Sequence, residues 1–235
     1  MDIHYRLATL EDAEDFQHIK QSVWPDEKAD LDLIQNALSL ADHTCYVAVA
    51  DNHVVGFMDC FPTQNQNQIR MDMDLLAVLP QYQGNRIASK LIRLCLYHPH
   101  NVQPTVYRSF IQVNNIASQK AFQHNGFVLE PEILTLFTLS PDNNESDLKR
   151  KGFSGTIIPV QTINYNGHWI EAPFTKGNLT ISCPGNVIGT ILSQDEEIQK
   201  RAKQAGFTPA ADYQWWKLHS PLPPAISKFT SERLE

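Results

Sequence analysis

Apolar residues along this chain switch between two periods, and the switches divide it into elements. Residues 3–8 alternate as a short strand. Thr9 stands where a helix cap belongs, acids crowd the next turn, and Ala13, Phe16, Ile19 and Val23 supply one apolar side up to Trp24-Pro25. Ile34, Ala37, Leu38 and Ala41 recur at helical spacing, which predicts a second helix over 30–41. "CYVAVA" and "VVGFMDCF" are strand-like and flank Asp51-Asn52, so they predict a hairpin, followed by a polar loop at 63–68. A strand over 69–79 leads through Pro80 and Gly84 into a helix over 85–98, whose buried side is Ile87, Leu91, Leu94 and Cys95. A strand over 105–113 and a helix over 115–125 follow, with Gly126 as the helix stop and a strand from Phe127 towards Leu139. Helices alternating with strands in this order predict an α/β layered fold with roughly parallel central strands.

The polar, breaker-rich run "SPDNNESDLKRKG" divides the chain. The partition is a first domain over 1–140, a linker over 141–155, an α+β extension over 156–220 and an irregular proline-rich tail over 221–235. In the extension, turns are expected at Asn166-Gly167 and Lys176-Gly177-Asn178, then a helix over 195–205 and a strand ending "YQWWKL". "QKAFQHNGF" from Gln119 and "QKRAKQAGF" from Gln199 echo each other 80 positions apart. The echo fits a degenerate half-repeat, and it fits equally the common ending of helices in glycine and a hydrophobic residue.

A 42% hydrophobic share and a 19% charged share are those of a globular chain with a core. No apolar run reaches the ~18 residues of a membrane span, and the first residues lack the order of a signal peptide. Cys45, Cys60, Cys95 and Cys183 form no CxxC pair and read as reduced, mostly core thiols of a cytoplasmic protein; no metal site is expected. His98-Pro99-His100 lacks companion ligands and reads as a loop. Of the net charge of −7, residues 1–140 carry all of it, with 16 acidic and 9 basic side chains. That sign argues against nucleic acid as a partner. Glu11, Asp12, Glu14, Asp15, Asp26, Glu27, Asp30 and Asp32 read either as two solvated helix faces or as a negative rim for a cationic substrate.

The chemistry concentrates at the corner "VLPQYQGNRIASKL", residues 78–91. A helix start offers unpaired N–H groups and the positive end of a dipole, so a tight turn there suits phosphate oxygens. Gly84 alone is also what an ordinary strand-to-helix turn contains. The stretch resembles the acyl-CoA signature of the GNAT superfamily of N-acyltransferases, Gln/Arg-x-x-Gly-x-Gly/Ala after a strand ending Val-x-Pro, with Gln83, Arg86 and Ala88 in its defined positions and Arg86 in place of the middle glycine. Downstream, "NIASQKAFQHNGF" is similar to that family's Asn-x-x-Ala/Ser-x-x-x-Tyr-x-x-x-Gly-Phe segment. Asn115, Ser118, Gly126 and Phe127 match, and Phe122 replaces the tyrosine. From the residues alone, Asn115, Ser118 and Phe122 share one helix face and equally suit a cap, a small residue and a core ring. The resemblance covers about residues 3–139.

The resemblance implies a GNAT-like mixed sheet whose fourth and fifth strands splay apart, flanked by helices. Acyl-CoA, acetyl-CoA in this reading, would be co-substrate: its arm would lie along Leu75, Leu76, Ala77 and Val78, its pyrophosphate on the amides of Gln83, Gly84, Asn85, Arg86, Ile87, Ala88 and Ser89, and Asn115, Ser118 and Phe122 would border it. The implied activity is transfer of the acyl group to a primary amine, a small cationic amine or a peptide end, by a monomer or homodimer. The alternative is a module that binds acyl-CoA without turning it over. Amine attack requires loss of a proton, donors for the oxyanion and an exit for the thiolate. Asp72 and Asp74 on the fourth strand are candidate bases, placed by strand alternation on one face with Leu76 and Val78, or else cation-binding or wet strand-end residues. Backbone N–H groups of Leu76 and Ala77 are the candidate oxyanion donors. Phe122 removes the family's acid, leaving water or Tyr82, Tyr97 or Tyr107; Cys60 reads as core, and Trp215 and Trp216 as small-core, pocket or dimer residues.

Overall fold

In a computed structural model, residues 2–65, 68–97, 103–140, 150–151, 154–175, 180–181 and 185–221 are described. The expected His98–His100 loop, most of the linker, the turn at 176–178 and nearly all of the tail lie outside them. The strands are β1 (His4–Leu7), β2 (Thr44–Ala50), β3 (His53–Gln64), β4 (Ile69–Val78), β5 (Val106–Gln112), β6 (Val128–Leu129), β7 (Leu134–Leu139), β8 (Arg150–Lys151), β9 (Ser154–Gln161), β10 (Asn166–Thr175), β11 (Thr180–Ile181), β12 (Asn186–Leu192) and β13 (Thr208–His219). The helices are α1 (Ala13–Val23), α2 (Leu31–Leu38), α3 (Ile87–Tyr97), α4 (Ile116–His124) and α5 (Glu196–Gln204).

Local chemistry explains the boundaries. Asp12 accepts from the Thr9 amide at 2.7 Å and from both Arg6 amino groups at 2.7 Å, closing the entry to α1. Burial is the largest single influence and would raise that carboxyl, but the hydrogen bonds from Arg6 and Thr9 and the Arg6 charge together outweigh it and hold it below the ordinary range. Asp30 caps α2 through the amides of Asp32 and Leu33. Asp51 and Asn52 take φ of 50° and 64°, the paired left-handed geometry that lets a tight turn match the strands' twist. On the inner side, Phe16 stacks on Phe57 with centroids 4.2 Å apart.

One eleven-stranded sheet runs through both parts of the chain in the order β1-β2-β3-β4-β5-β13-β7-β12-β10-β9, with β6 alongside β13; β8 and β11 form a separate ribbon. The expectation of roughly parallel central strands gives way to a mixed, mostly antiparallel sheet, in which the parallel neighbours are β4/β5 and β10/β12. The division at 140 follows the chain, whereas the sheet crosses it: β13 lies between β5 and β7, antiparallel to both. The turn expected at Asn166-Gly167 falls at 162–165 instead, where Thr162 N–H donates to the Tyr165 carbonyl at 2.7 Å and Thr162 Oγ1 accepts from the amides of Asn164 and Tyr165. Pro131 separates the expected 127–139 strand into β6 and β7.

The sequence echo has matching geometry. Asn115 accepts from the Ser118 amide and Asp195 from the Ile198 amide, each at 3.1 Å. Gln119 donates to the carbonyls of Gln112 and Val113, and Gln199 to those of Leu192 and Ser193. Gly126 and Gly206 have φ of 88° and 91°, and the Phe127 and Phe207 amides return to the carbonyls of Phe122 and Ala202. Each partner is displaced by the same 80 positions, and β9-β10-β12-α5-β13 repeats the pairing directions of β3-β4-β5-α4-β7. The second unit has no room for an α3 equivalent, because residues 176–185 between β10 and β12 are fewer than the 11 residues of α3 alone.

Candidate active site

β4 and β5 are hydrogen-bonded only where Arg70–Asp72 face Val106–Arg108; beyond that they diverge. On its other side β4 carries a bulge. Met58 faces Leu76 and Cys60 faces Met73, so Asp74 and Leu75 together oppose the single residue Asp59. The extra residue turns the strand towards the gap. A cavity of about 400 Å³ opens there, bordered by Asp74, Leu75 and Leu76 of β4, by Asn115, Ser118 and Phe122 of α4, and by side chains of the second unit.

The bulge separates the two aspartates that alternation would have kept alike. Asp72 is buried in an ion pair, Oδ1 2.6 Å from Arg108 Nε and Oδ2 3.3 Å from Arg108 Nη2, and Thr63 Oγ1 also donates to it. With both oxygens engaged, Asp72 is a structural anchor of the β4/β5 junction and not the free base expected of it. Asp74 is open to the cavity yet surrounded by protein on its other sides. Burial first, then the neighbouring charges of Asp59 and Asp72, push its carboxyl up to about 7 against the opposing hydrogen bond with Thr162 and the charge of His43.

That Thr162 belongs to the β9–β10 turn, which two charged side chains of the first unit hold in place. Lys20, itself buried, donates from Nζ to Asn164 Oδ1 at 2.5 Å and to the Ile163 carbonyl at 3.3 Å. His43 Nε2 lies 2.7 Å from the Gln161 carbonyl and Nδ1 2.9 Å from Asp59 Oδ1, while Asp59 accepts from the Ile163 amide. Both ring nitrogens face acceptors. Burial opposes the charge on His43, but the Asp59 contact prevails and the pKa is raised. The same His43, Cys45 and Asp59 could by composition ligate a metal, but the ion pair and the 3.2 Å hydrogen bond from Cys45 Sγ to Asp59 already account for their proximity.

At the other end of the gap, Gln83 to Arg86 lie exposed ahead of α3. Gln83 Nε2 donates to the Val78 carbonyl at 3.0 Å, and Asn85 Nδ2 to the carbonyls of Tyr82 and Gln83, which fixes the loop on itself. Gly84 has φ of 80° and no atom within 4 Å of where a Cβ would stand. Arg86 has φ of 60°, the conformation that glycine takes without cost and an L-residue takes at roughly 1–2 kcal/mol. The backbone path of a glycine is thus kept by an arginine. Ile87 to Ser89 form the first turn of α3, whose N–H groups are those an α-helix leaves without an intrahelical acceptor.

The family model described as acetyltransferase (GNAT) family matches residues 8–127, half of the chain. The chain belongs to the GNAT acetyltransferase family. No curated protein matches it in sequence. Among solved structures, a tandem GNAT protein from the clavulanic acid biosynthesis pathway is 9% identical with a TM-score of 0.58, over 93% of this chain and 98% of that one. The glucosamine N-acetyltransferase region of a fungal multi-domain β-N-acetylglucosaminidase is 14% identical with a TM-score of 0.53; the match spans 62% of this chain and only 19% of the fungal one. NAA60 of Arabidopsis thaliana, solved with a bisubstrate analogue, is 16% identical with a TM-score of 0.49, over 57% and 88%. At these identities the likeness is one of fold.

Within this GNAT frame, the remaining expected residues separate. Leu76 borders the cavity, whereas Ala77 is buried opposite Phe57 and Val78 opposite Gly56. The bulge therefore brings 74–76, two residues earlier than 76–78, to the gap. Asn115 spends its side-chain carbonyl on capping α4. Ser89 is tied to Asn125, which also accepts from Arg93 and so fastens α3 to the end of α4. Phe122 lies against Phe127, edge to face at 4.9 Å, without a hydroxyl to give. Tyr107 donates to the Leu96 carbonyl and, like Tyr97, is pushed by burial to about 12; neither they nor Tyr82 are among the described residues lining the cavity. The tyrosines among the described lining residues are Tyr165 and Tyr213 of the second unit, which sequence reasoning passed over. The echo at 80 positions was the signal that this unit folds onto the first.

Proposed function

We propose that this protein transfers an acetyl group from acetyl-CoA directly to a primary amine, with Asp74 as the base. The observation that carries this reading is the position of Asp74: an unpaired-to-cation carboxyl at the bulge, facing the gap between the diverging strands. In the proposed step the amine nitrogen forms a bond to the thioester carbonyl carbon, the C–S bond breaks, Asp74 receives the amine proton, and the thiolate leaves. A carboxylate titrating at about 7 is matched to that task near neutral pH. Acyl-CoA would lie with its diphosphate at the N–H groups of 83–89 and its arm beside Leu75 and Leu76. The open loop above Gly84 supports that fit. A thiolate with a pKa near ~8.5 is a tolerable leaving group without a protein acid, so Phe122 does not forbid turnover.

Phe122 does favour a second reading, in which the fold binds acyl-CoA as a sensor. Calorimetry with CoA and a free-thiol assay with acetyl-CoA and an amine panel separate the two. Binding with amine-dependent thiol release supports the enzyme, binding with an intact thioester supports the sensor, and no binding overturns both.

A further inference from the structure

The cavity continues past Asp74 into a chamber that the second unit builds. Phe110, on β5 just beyond its last pairing with β4, stacks on Tyr213 at 4.6 Å and 13° and leans on Trp215 at 4.6 Å. Trp169 of β10 meets Phe110 edge-on at 5.8 Å and Trp215 at 6.1 Å. Gln112 donates to the Tyr213 hydroxyl at 3.1 Å, fixing that ring. Four rings from β5, β10 and β13 thus form one wall, with Asp74 and Glu27 among the residues nearby that carry negative charge. The cavity's one cationic lining residue among those described, Arg108, lies behind this wall, its guanidinium carbon 4.3 Å from the Trp215 ring centroid and its charge directed to Asp72.

We infer that the acceptor is a compact monoamine with a flat, ring-bearing body, an arylalkylamine in chemical class. This deepens the proposed transferase and rests on it for the reaction, though not for the binding. A single ammonium is drawn to the acidic end, where Asp74 takes one proton to free the amine, and the second proton lost as the C–N bond forms passes to the departing thiolate. The rest of the molecule meets aromatic faces and edges, which stack rings at centroid separations of ~4.5–7 Å. A second ammonium would instead face Trp215 with Arg108 immediately behind it, and the nearest carboxylate there is already held by Arg108. A diamine or polyamine is therefore disfavoured. The whole cavity, including the gap beside Leu75 and Leu76 that the acyl-CoA arm would enter, is about 400 Å³, towards the small end of the ~300–1,000 Å³ of ligand pockets, so the part left for the acceptor suits a small molecule better than a peptide chain.

The second unit thereby acquires a role that its missing α3 equivalent denies it as a transferase. Its strands supply Trp169, Tyr213 and Trp215, and its 162–165 turn holds Asp74 through Thr162. The test compares phenethylamine and tryptamine with hexylamine, putrescine, spermidine and a dipeptide, using full-length protein and acetyl-CoA. Arylalkylamines should exceed the diamines and the dipeptide in kcat/KM by about tenfold or more, and Trp169→Leu should cut that preference to near parity through KM while CoA affinity is kept. Best turnover with diamines or dipeptide, or equal loss for every amine in Trp169→Leu, overturns the inference. So does a preference that follows acyl-chain length and ignores the amine, since the chamber would then hold the acyl group. Calorimetric titration of phenethylamine into the CoA complex gives a readout independent of turnover. Saturable phenethylamine binding, weakened in Trp169→Leu, with no thiol release retains the inference while the transferase reading fails, and no binding overturns it.

Discussion

Replacing Asp74 by Asn removes a charge that the fold holds at a cost, so stability and activity should move in opposite directions. Its carboxyl titrates at about 7 in the folded chain and at 3.8 as a free side chain. The folded state therefore binds the proton more tightly than the unfolded state, and the penalty is absent at low pH, grows as pH rises above 3.8, and is complete above about 7. At 1.36 kcal/mol per unit the difference would be about 4 kcal/mol for a sealed group. Asp74 is open to a water-accessible cavity, so screening leaves about 1–2 kcal/mol. For a chain of this size that is a rise of about 2–8 °C in melting temperature. Asp74→Asn should melt higher than wild type at about pH 8, and the gap should close towards about pH 4.5. The same variant should lose about 10²–10⁴-fold in kcat, the range a positioned base supplies. For wild type, kcat/KM should fall as pH drops below about 7. Scanning calorimetry at the two pH values and a free-thiol assay measure both halves. An Asp74→Asn protein that melts no higher at about pH 8, or that keeps its turnover, refutes the reasoning.

Asp72→Asn should act in the contrary sense, destabilising by about 3–5 kcal/mol in denaturant titration because it strips a buried arginine of its carboxylate. Arg86→Gly should raise stability by up to about 1 kcal/mol, since glycine takes φ of 60° freely, and should keep CoA affinity within about threefold by calorimetry if backbone amides do the holding. That titration should also show one CoA per chain, since the second unit shows no strand-to-helix corner between β10 and β12 among the described residues. The Asp59 contact of His43 contributes stability that is complete below about 6.5 and lost as pH rises through the raised pKa. The stability difference between wild type and His43→Gln should therefore shrink on going from about pH 6 to about pH 9, as followed by thermal melting.

The corner and the order of the first strands and helices were legible because they are local: Pro80 and Gly84 ahead of an apolar helical stripe, Asp51-Asn52 between two β-rich runs. Arg86 could be placed in the glycine position but its backbone angle could not be read. The bulge was hidden, because an extra residue in a strand depends on the partner strand, and with it went the different fates of Asp72 and Asp74. The partner of Asp72, Arg108, stands 36 positions away on another strand. Trp215 and Trp216 show the same limit. Adjacent in sequence, they point to opposite faces, Trp216 into the core and Trp215 into the aromatic chamber. Ile163 at the β9–β10 turn was invisible as a core residue, though it belongs to the first unit's hydrophobic core.

The position of β13 bears on how the molecule is made. A ribosome delivers residues 208–219 after every other described strand of this sheet, yet they pair with β5 and β7 near the middle of it. Until then two neighbouring strand edges stand open, each a template for another chain. Shortening the protein at residue 140 would leave those edges bare for good, so the fragment that carries both family signatures is expected to associate with copies of itself. Assembly of this sheet is finished at its centre, by the last of its described strands to be made.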